Sequence, residues 1–248
     1  MSSLQNAREA PLWLDSFDES LHGRKPLDGP MSVDVAIIGG GYSGLWTAYY
    51  LLENDPSLRV LIIEKEFCGY GASGRNGGWC EGALAGGTEK YAKRSTMGEA
   101  LRLERTMFET VDEIQRVLDS EDINCDFHKG GFVSVARNLP QAQRQRSAVE
   151  LARERGTGEE IIRILDADEA RAHVNATNVH SGIFFAPSAV VDPGKMVRGL
   201  AKAVERKGGT IVEGTTALSI STGKVVCVEG VVSADVIVQA TEGYTRDI

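Results

Sequence analysis

The opening part of the chain carries the clearest alternation of apolar and polar stretches. Residues 33–38 form a short β-branched run that predicts a strand, which stops at Gly39. From Leu45 onward apolar residues recur at helical spacing, and residues 54–56 (Asn-Asp-Pro) are expected to end that helix. Residues 59–64 are apolar on both faces, as a buried parallel strand is. Together these elements predict a βαβ crossover.

The middle of the chain shows weaker patterns. Residues 67–88 are rich in glycine and lack periodicity, which predicts a loop whose backbone comes into close contact with another group. Residues 97–118 carry apolar side chains at helical spacing and predict a long amphipathic helix. Strands are also predicted at 132–135 and 182–186, and a charged surface helix at 139–155.

The final part of the chain again shows clear patterns for a helix and for strands. Asp192 is placed to cap a helix that begins at Pro193 and ends at Gly208-Gly209. A short strand is predicted after this helix, at 210–213. Three more are expected to form a meander, at 217–220, 225–228 and 230–233. A last, buried strand is predicted at 236–239.

Composition narrows the class of protein. The 248 residues carry 27 basic and 35 acidic side chains, a net charge of −8, which argues against nucleic acid as a partner. The four cysteines are widely spaced and form no metal-ligand or disulfide pattern, so free thiols and no metal site are expected. Glycine is over-represented at 28 residues, and the excess must lie at particular backbone positions.

Two segments bear on the location of the protein. Residues 1–30 mix charges with prolines and contain no apolar stretch of signal-peptide length. Residues 33–52 are nearly apolar over a membrane-spanning length, but Asp34 and three consecutive glycines favour a strand, a turn and a helix. We therefore expect a cytoplasmic protein without a transmembrane span.

A glycine fingerprint follows the first predicted strand. Gly39, Gly41 and Gly44 form G-x-G-x-x-G, in which the first permits a tight turn, the second admits a pyrophosphate and the third lets helix and strand pack. Glu64 ends the second strand, where a carboxylate accepts hydrogen bonds from an adenosine ribose and disfavours a 2′-phosphate. The pattern predicts dinucleotide binding and argues against NADP, but the glycines alone do not separate NAD from FAD.

Several ordered motifs resemble the FAD-dependent oxidoreductases of the D-amino-acid oxidase family. The similar segments are VDVAIIGGGYSGLWTAYYL at 33–51, GASGRNGG at 71–78, VDPGKMVRGLA at 191–201, EGTTA at 213–217 and ATEGYT at 240–245. In the family these correspond to the entry motif, the loop toward the flavin, the return to the FAD domain, the backbone beside the adenine and an ATxGY stretch. The GASGRNGGW form is most similar to the branch of gamma-glutamylputrescine, glycine and sarcosine oxidases.

The resemblance implies non-covalently bound FAD and oxidation of a carbon–nitrogen single bond in a small amine or amino acid. A neutral amine supports hydride loss to flavin N5, the imine hydrolyses in water, and oxygen or another acceptor reoxidises the flavin. No dedicated protein acid or base is required. The expected cofactor-binding residues are Gly39, Gly41, Tyr42, Ser43, Gly44, Glu64, Lys65, Ala72, Ser73, Gly74, Gly77, Gly78, Ala217, Ala240, Thr241 and Gly243.

The loop at 71–78 also supplies the candidate catalytic residues. Ser73, Arg75 and Asn76 are its polar side chains expected near the flavin ring, and Arg75 and Asn76 are the two candidates for a catalytic role. The positive charge of Arg75 is suited to stabilising negative charge on the reduced flavin. An arginine suits a phosphate or a surface partner equally well, so that alternative stays open.

The expected fold class is α/β, with a Rossmann-like FAD-binding domain and an inserted α+β substrate domain. Residues 31–80 and 191–248 are assigned to the FAD-binding domain, 81–190 to the inserted domain and 1–30 to an N-terminal extension. Members of the family continue beyond the ATxGY stretch, so the fold is expected to be incomplete at its carboxyl end. An internal strand without its neighbour exposes an apolar edge, and marginal stability of the isolated polypeptide is expected.

That expectation leaves three origins open: a fragment, a truncated gene model or a split gene product. A purified chain that is at once monomeric, cooperatively folded and yellow would contradict it. Two alternatives to an amine or amino-acid oxidoreductase also stay open. One is a catalytically incomplete flavin-binding subunit whose partner supplies the missing part, and the other is an FAD-dependent dehydrogenase acting on carbon–oxygen bonds.

Overall fold

A computed structural model describes residues 11–16 and 23–248. The described residues fall into two compact units. Unit 1 holds the described residues up to Gly77, the segment Glu121–Cys125 and Asp192–Ile248, and unit 2 holds Gly78–Ser120 and Asp126–Val191. The sequence pattern gave no sign that Glu121–Cys125 belongs with unit 1.

The strands and helices are numbered in chain order. The strands are β1 (Met31–Ile38), β2 (Val60–Ile63), β3 (Trp79–Glu81), β4 (Phe132–Ala136), β5 (Ile162–Leu165), β6 (Ser181–Phe185), β7 (Ser188–Val190), β8 (Thr210–Val212), β9 (Ala217–Ser221), β10 (Lys224–Cys227) and β11 (Val231–Gln239). The α-helices are α1 (Tyr42–Asn54), α2 (Thr88–Ala92), α3 (Met97–Ser120), α4 (Leu139–Glu154), α5 (Ala167–His173) and α6 (Pro193–Arg206). Short 3-10 helices cover Leu12–Ser16, Ala72–Gly74 and Glu242–Asp247.

Unit 1 is built on a six-stranded sheet in the order β8-β2-β1-β11-β10-β9. The strands β8, β2, β1 and β11 are parallel to one another, and β9, β10 and β11 form an antiparallel meander. Ala36, Ile37, Leu61 and Ile62 are fully buried, which explains why both faces of β1 and β2 are apolar. The predicted βαβ unit is confirmed.

One strand prediction in unit 1 is wrong. The separate strands expected at 230–233 and 236–239 are a single strand, β11, and residues 236–239, expected to be buried, are partly or largely exposed. Its first residues pair with β10 and almost its whole length pairs with β1, so the chain stays extended through Asp235. A polar residue in a strand with one exposed face does not interrupt it.

Helices α1 and α6 pack against each other in unit 1. The Asp192 side chain caps α6 by accepting a hydrogen bond from the Lys195 N–H at 3.0 Å, and Pro193 is the first helical residue. Gly208 follows the helix with a φ of +96°, a conformation that favours glycine. The predicted helix and both of its ends are confirmed.

Unit 2 holds a three-stranded antiparallel sheet in the order β4-β6-β5 and the pair β3-β7. The long helix α3, the helix α4 and the strands β4 and β6 are where the sequence pattern predicts them. The strand β3 lies inside the stretch predicted as loop, because it pairs with β7, a partner more than a hundred residues away that no local pattern reveals. The short elements α2, β5, β7 and α5 were not predicted.

Three further observations concern thiols, metal ligands and membrane spans in the described part of the chain. Cys68, Cys80, Cys125 and Cys227 are free thiols. The described residues contain no cluster of histidine, cysteine and acidic side chains able to hold a metal ion. Among the same residues, no helix combines the length and apolarity needed to cross a bilayer.

Candidate functional site

A cavity of about 370 Å³ lies in unit 1, where β1, β2 and β11 end. The carboxyl ends of parallel strands are the usual ligand-binding edge of such a sheet. Ile38 and Gly39 contribute the end of β1, Ile63 and Glu64 the end of β2, and Ala240 follows β11. Three separate parts of the sequence therefore meet at one site.

Two of the fingerprint glycines are required by close backbone packing. Gly39 has a φ of +110°, and a Cβ there would lie 2.4 Å from the carbonyl oxygen of Ala240. A Cβ at Gly44 would lie 2.1 Å from the carbonyl oxygen of Gly39. No larger residue fits either position without moving the backbone. Gly41 instead lines the cavity itself, immediately before α1.

The first turn of α1 faces the cavity through Tyr42 and Ser43. No side chain caps this helix from Gly41, and its first turn holds no acidic residue. The Tyr42 N–H donates to the Ser73 hydroxyl at 2.9 Å, which ties the helix start to the loop after β2. The other N–H groups of the first turn and the positive end of the helix dipole can interact with an anion.

Glu64 lines the cavity with a half-buried carboxylate. One carboxylate oxygen accepts the Gly40 N–H at 2.7 Å and the other accepts the Glu66 N–H at 2.9 Å. Burial raises the pKa of Glu64, against the opposing effect of these two hydrogen bonds. Each oxygen keeps a further lone pair, so the carboxylate can also accept a ligand hydroxyl.

The segment Thr215, Thr216 and Ala217 forms another wall of the cavity. The Thr215 N–H donates to the Glu64 carbonyl oxygen at 2.9 Å, which fixes this wall to the end of β2. Its hydroxyl is buried and accepts the Leu27 N–H at 2.9 Å. These contacts hold the segment from both sides.

A further wall follows β11. The Ala240 N–H donates to the Ile38 carbonyl oxygen at 2.9 Å, which sets this wall beside the end of β1. The hydroxyls of Thr241 and Thr245 are 2.9 Å apart, and the Tyr244 N–H donates to the Thr241 carbonyl oxygen. The ring of Tyr244 passes close to the space that a side chain at Gly71 would occupy.

The structure brings most of the predicted cofactor residues together. Those that line the cavity are Gly39, Gly41, Tyr42, Ser43, Glu64, Lys65, Ala72, Ser73, Ala217, Ala240 and Thr241. Those outside its lining are Gly44, Gly74, Gly77, Gly78 and Gly243. Gly74 resembles Gly44 in being required by packing, since a Cβ there would lie 2.2 Å from the Gly69 carbonyl oxygen.

Neither candidate catalytic residue lines this cavity. The Arg75 guanidinium lies 4.6 Å from the centre of the Tyr70 ring, and its Nε donates to the Tyr70 carbonyl oxygen at 2.5 Å. The Asn76 amide donates to the Ser73 carbonyl oxygen at 2.9 Å, closing the short helix Ala72–Gly74. In this conformation both side chains support the loop.

Sequence reasoning missed several residues of the lining. They are Ile38, Ile63, Glu66, Gly69, Tyr70, Gly71, Thr215, Thr216, Glu242, Tyr244 and Ile248. Most of them fall within or beside motifs that the sequence did reveal, so a prediction of whole segments would have found them. Ile248 has no such signal.

The arrangement fits the FAD that the sequence resemblance implies. Gly41 and the first turn of α1 leave space for a pyrophosphate, with the N–H groups other than that of Tyr42 to bind it. Glu64 supplies acceptors for a ribose, and the cavity volume lies within the usual range of ligand sites, about 300–1,000 Å³. The residues that would hold the cofactor are thus contributed by four segments of one unit.

Two curated relatives are similar to most of this chain. The probable oxidoreductase OrdL of Haemophilus influenzae is 30% identical over 227 residues, which is 88% of this chain and 51% of OrdL. The gamma-glutamylputrescine oxidoreductase of Escherichia coli is 29% identical over 226 residues, 89% of this chain and 51% of that protein. The chain spans about half the length of both relatives.

A solved structure and a family match complete the comparison. The L-amino acid deaminase of Proteus myxofaciens, solved in complex with anthranilate, superposes with a TM-score of 0.72 at 22% identity, covering 93% of this chain and 49% of that one. At this identity the likeness establishes the fold. Residues 34–248 match the family described as DAO, FAD dependent oxidoreductase. This chain belongs to the DAO family of FAD-dependent oxidoreductases.

Proposed function

We propose that this chain provides the FAD site of an oxidoreductase that oxidises the carbon–nitrogen bond of an amine or amino acid. The observation that carries the proposal is the cavity in which the start of α1, the Glu64 carboxylate and the wall at Ala240 and Thr241 converge. FAD is the cofactor of the family to which the chain belongs. The arrangement of these groups matches what FAD requires of a protein.

The substrate class rests on the relatives. Gamma-glutamylputrescine and L-amino acids, named for the Escherichia coli enzyme and the Proteus deaminase, both contain oxidisable carbon–nitrogen bonds. When bound, FAD supplies the two-electron oxidation that these reactions need, and the protein supplies binding, orientation and electrostatics. Hydrolysis of the imine product in water and reoxidation by oxygen or another acceptor complete the proposed reaction.

We assign the described residues to separate parts of the cofactor. The N–H groups at Gly41 and Ser43 bind the pyrophosphate, and Glu64 accepts the ribose hydroxyls. Lys65, Ala72 and Ser73 contribute further contacts from the loop side, and Ala217, Ala240 and Thr241 from the opposite walls.

The flavin contacts of the 71–78 loop stay predictions. Arg75 and Asn76 are proposed to act near the ring, together with backbone N–H groups of Gly74, Gly77 and Gly78, and Gly243 is proposed to border the cofactor. The support for these contacts is the resemblance of GASGRNGG to the family loop. The loop lies directly after the cavity-lining residues Gly69 and Tyr70.

Anaerobic bleaching of the visible flavin spectrum tests this function. The purified protein, supplied with FAD, is mixed with N-methyl amino acids, glycine and gamma-glutamylated polyamines, and absorbance is followed without oxygen. Loss of the oxidised flavin bands with at least one of these amines is the expected result. Bleaching by hydroxy acids or glycerol phosphate alone would instead favour oxidation of carbon–oxygen bonds.

A flavin-binding subunit that works with a partner polypeptide is the second proposal. One structural feature favours it: Leu218, Val228 and Val236 on the β9–β11 meander are large apolar side chains, each more than half exposed. Co-purification of a second polypeptide, with bleaching only in its presence, would support this alternative. Bleaching by the chain alone would exclude it.

The cytoplasm remains the proposed location. Its support is that all four cysteines are free thiols, which is usual in a reducing compartment. Determination of the thiol count in protein isolated from its native cells tests the assignment, because an oxidising compartment favours disulfides.

A further inference from the structure

A short segment before β1 runs along the wall of the cavity that contains Thr215. The Leu27 N–H donates to the buried Thr215 hydroxyl at 2.9 Å, and the Glu213 N–H donates to the Lys25 carbonyl oxygen at 3.3 Å. The Leu27 side chain is itself buried in the core beneath the sheet. This segment, residues 24–27, precedes the part of the chain that matches the family, residues 34–248.

Arg24 joins that segment to two carboxylates. Its Nε and one terminal nitrogen each lie 2.7 Å from an oxygen of Glu205, near the end of α6. Its other terminal nitrogen lies 3.0 Å from Glu213 Oε1. Burial acts to lower the pKa of Arg24, but the hydrogen bond to Glu205 and the neighbouring negative charges raise it above its ordinary value. The guanidinium is therefore held permanently charged between two carboxylates.

The positive charge of Arg24 compensates the buried carboxylate of Glu213. Its side chain is 2% exposed, and the carboxylate also accepts the Cys68 N–H at 2.9 Å. Cys68 belongs to the loop that follows β2, and Thr215 begins the cavity wall two residues after Glu213. A buried carboxylate that loses its charged partner is strongly unfavourable and forces its surroundings to rearrange.

We propose that Arg24 is a positioning residue for the cofactor site. By compensating the charge of Glu213, it holds Glu213 in the interior and so fixes the wall of Thr215, Thr216 and Ala217 against the end of β2. Arg24 does not line the cavity. It acts on FAD affinity through Glu213, and in this respect the inference rests on the proposed FAD site.

Two measurements on the full chain test the inference. The first is hydrogen exchange at the amides of residues 213–217 without cofactor, and the second is the dissociation constant for FAD from a calorimetric titration. R24M is expected to accelerate exchange across 213–217 and to weaken FAD binding at least about tenfold. R24K keeps the charge but loses the two-pronged contact with Glu205, so it is expected to lie between R24M and the wild type.

R59M is the matched control. Arg59 also forms a two-pronged ion pair, with Asp34, but it is 61% exposed and does not line the cavity. Its removal is expected to leave exchange at 213–217 and the FAD dissociation constant unchanged. A general effect of losing an arginine would appear in both variants.

The double variant R24M/E213Q tests whether Arg24 acts through the charge of Glu213. The neutral side chain at 213 still accepts the Cys68 N–H, but no charge remains buried, so thermal stability is expected to recover toward the wild type. Because residue 213 then stays in the interior without a charged partner, protection of the amides at 213–217 and FAD affinity are expected to recover in parallel. If R24M alone fails to fold, hydrogen exchange and FAD binding are measured on this double variant.

The outcomes distinguish this inference from the proposed function. Unchanged exchange at 213–217 in R24M, or FAD affinity in R24M/E213Q that stays as weak as in R24M, would overturn the role of Arg24. A wild-type chain that binds no FAD would overturn the proposed function, together with the claim that Arg24 sets FAD affinity. Exchange at 213–217 would then decide whether Arg24 positions the wall.

Discussion

Gly44 in the first turn of α1 lies directly against the carbonyl oxygen of Gly39 at the end of β1. A Cβ on Gly44 would be 2.1 Å from that oxygen. The loop after β2 repeats the relationship, with a Cβ on Gly74 placed 2.2 Å from the carbonyl oxygen of Gly69. Both turns bring backbone against backbone five residues apart, and Gly39 and Gly69 line the same cavity.

A methyl group at Gly44 therefore tests the packing of the fingerprint. G44A is expected to lower the free energy of unfolding by about 1–3 kcal/mol, because neither backbone segment can yield without moving β1 or α1. Urea denaturation measures the change. G98A is the control, since Gly98 lies exposed near the start of α3 with its nearest neighbour 3.9 Å away. It is expected to be neutral or to stabilise by about 0.5–1 kcal/mol. Equal losses in both variants would contradict the account.

The hydrogen bond between Tyr42 N–H and Ser73 Oγ is a second test. S73A removes the acceptor for a first-turn N–H of α1, and the free energy of unfolding is expected to fall by about 1 kcal/mol. The exposed Ser219 of β9 offers a matched control, because S219A removes a hydroxyl with no comparable role. A loss confined to S73A supports the connection between α1 and the loop, and identical values for the two variants refute it.

The raised pKa of Glu64 predicts how FAD binding depends on pH. The ionised carboxylate accepts ribose hydroxyls, so FAD affinity is expected to rise as pH increases through the pKa of Glu64. Stability of the apoprotein has the opposite sign: a raised folded-state pKa favours the protonated form, and this contribution is lost as pH rises through that value.

Calorimetric FAD titrations from about pH 5 to 8 measure the dependence. E64Q cannot ionise and is expected to bind FAD weakly and with less dependence on pH, whereas E99Q, at an exposed position of α3, should behave like the wild type. A wild-type affinity that falls with rising pH over this range would disagree with the assignment of Glu64.

Arg75 has two competing roles that a redox titration separates. As a group near the flavin, it favours negative charge on the reduced cofactor, so R75M is expected to lower the midpoint potential of bound FAD. A loss of about 1.4 kcal/mol corresponds to about 30 mV for two electrons. R75K retains the charge and is expected to shift the potential less. An unchanged potential in R75M would limit Arg75 to its contact with the Tyr70 ring.

Local sequence patterns revealed the edge of unit 1 at which the cavity lies. The strands β1 and β2 and the helices α1 and α6 combine clear periodicity with glycine, proline or aspartate at their ends, and each of these signals is local. The same is true of Gly39, Gly41 and Glu64, whose spacing predicted residues that the structure places in the lining of the cavity.

Other features depend on contacts distant in sequence. The pairing of β3 with β7 and the single strand β11 are set by partners that the local pattern does not reveal. The contacts of Arg24 with Glu205 and Glu213 join residues about 180 positions apart, so their charges read as ordinary surface charges in the sequence. Arg75 lies in a motif that the sequence did reveal, but its orientation toward Tyr70 could not be inferred from that motif.

The most direct test of the central claim is a calorimetric titration of the purified chain with FAD and, separately, with NAD. The account predicts saturable binding of FAD at one site per chain, with NAD binding far more weakly, and visible flavin bands in the complex. A chain that stays colourless with FAD and binds NAD would contradict it.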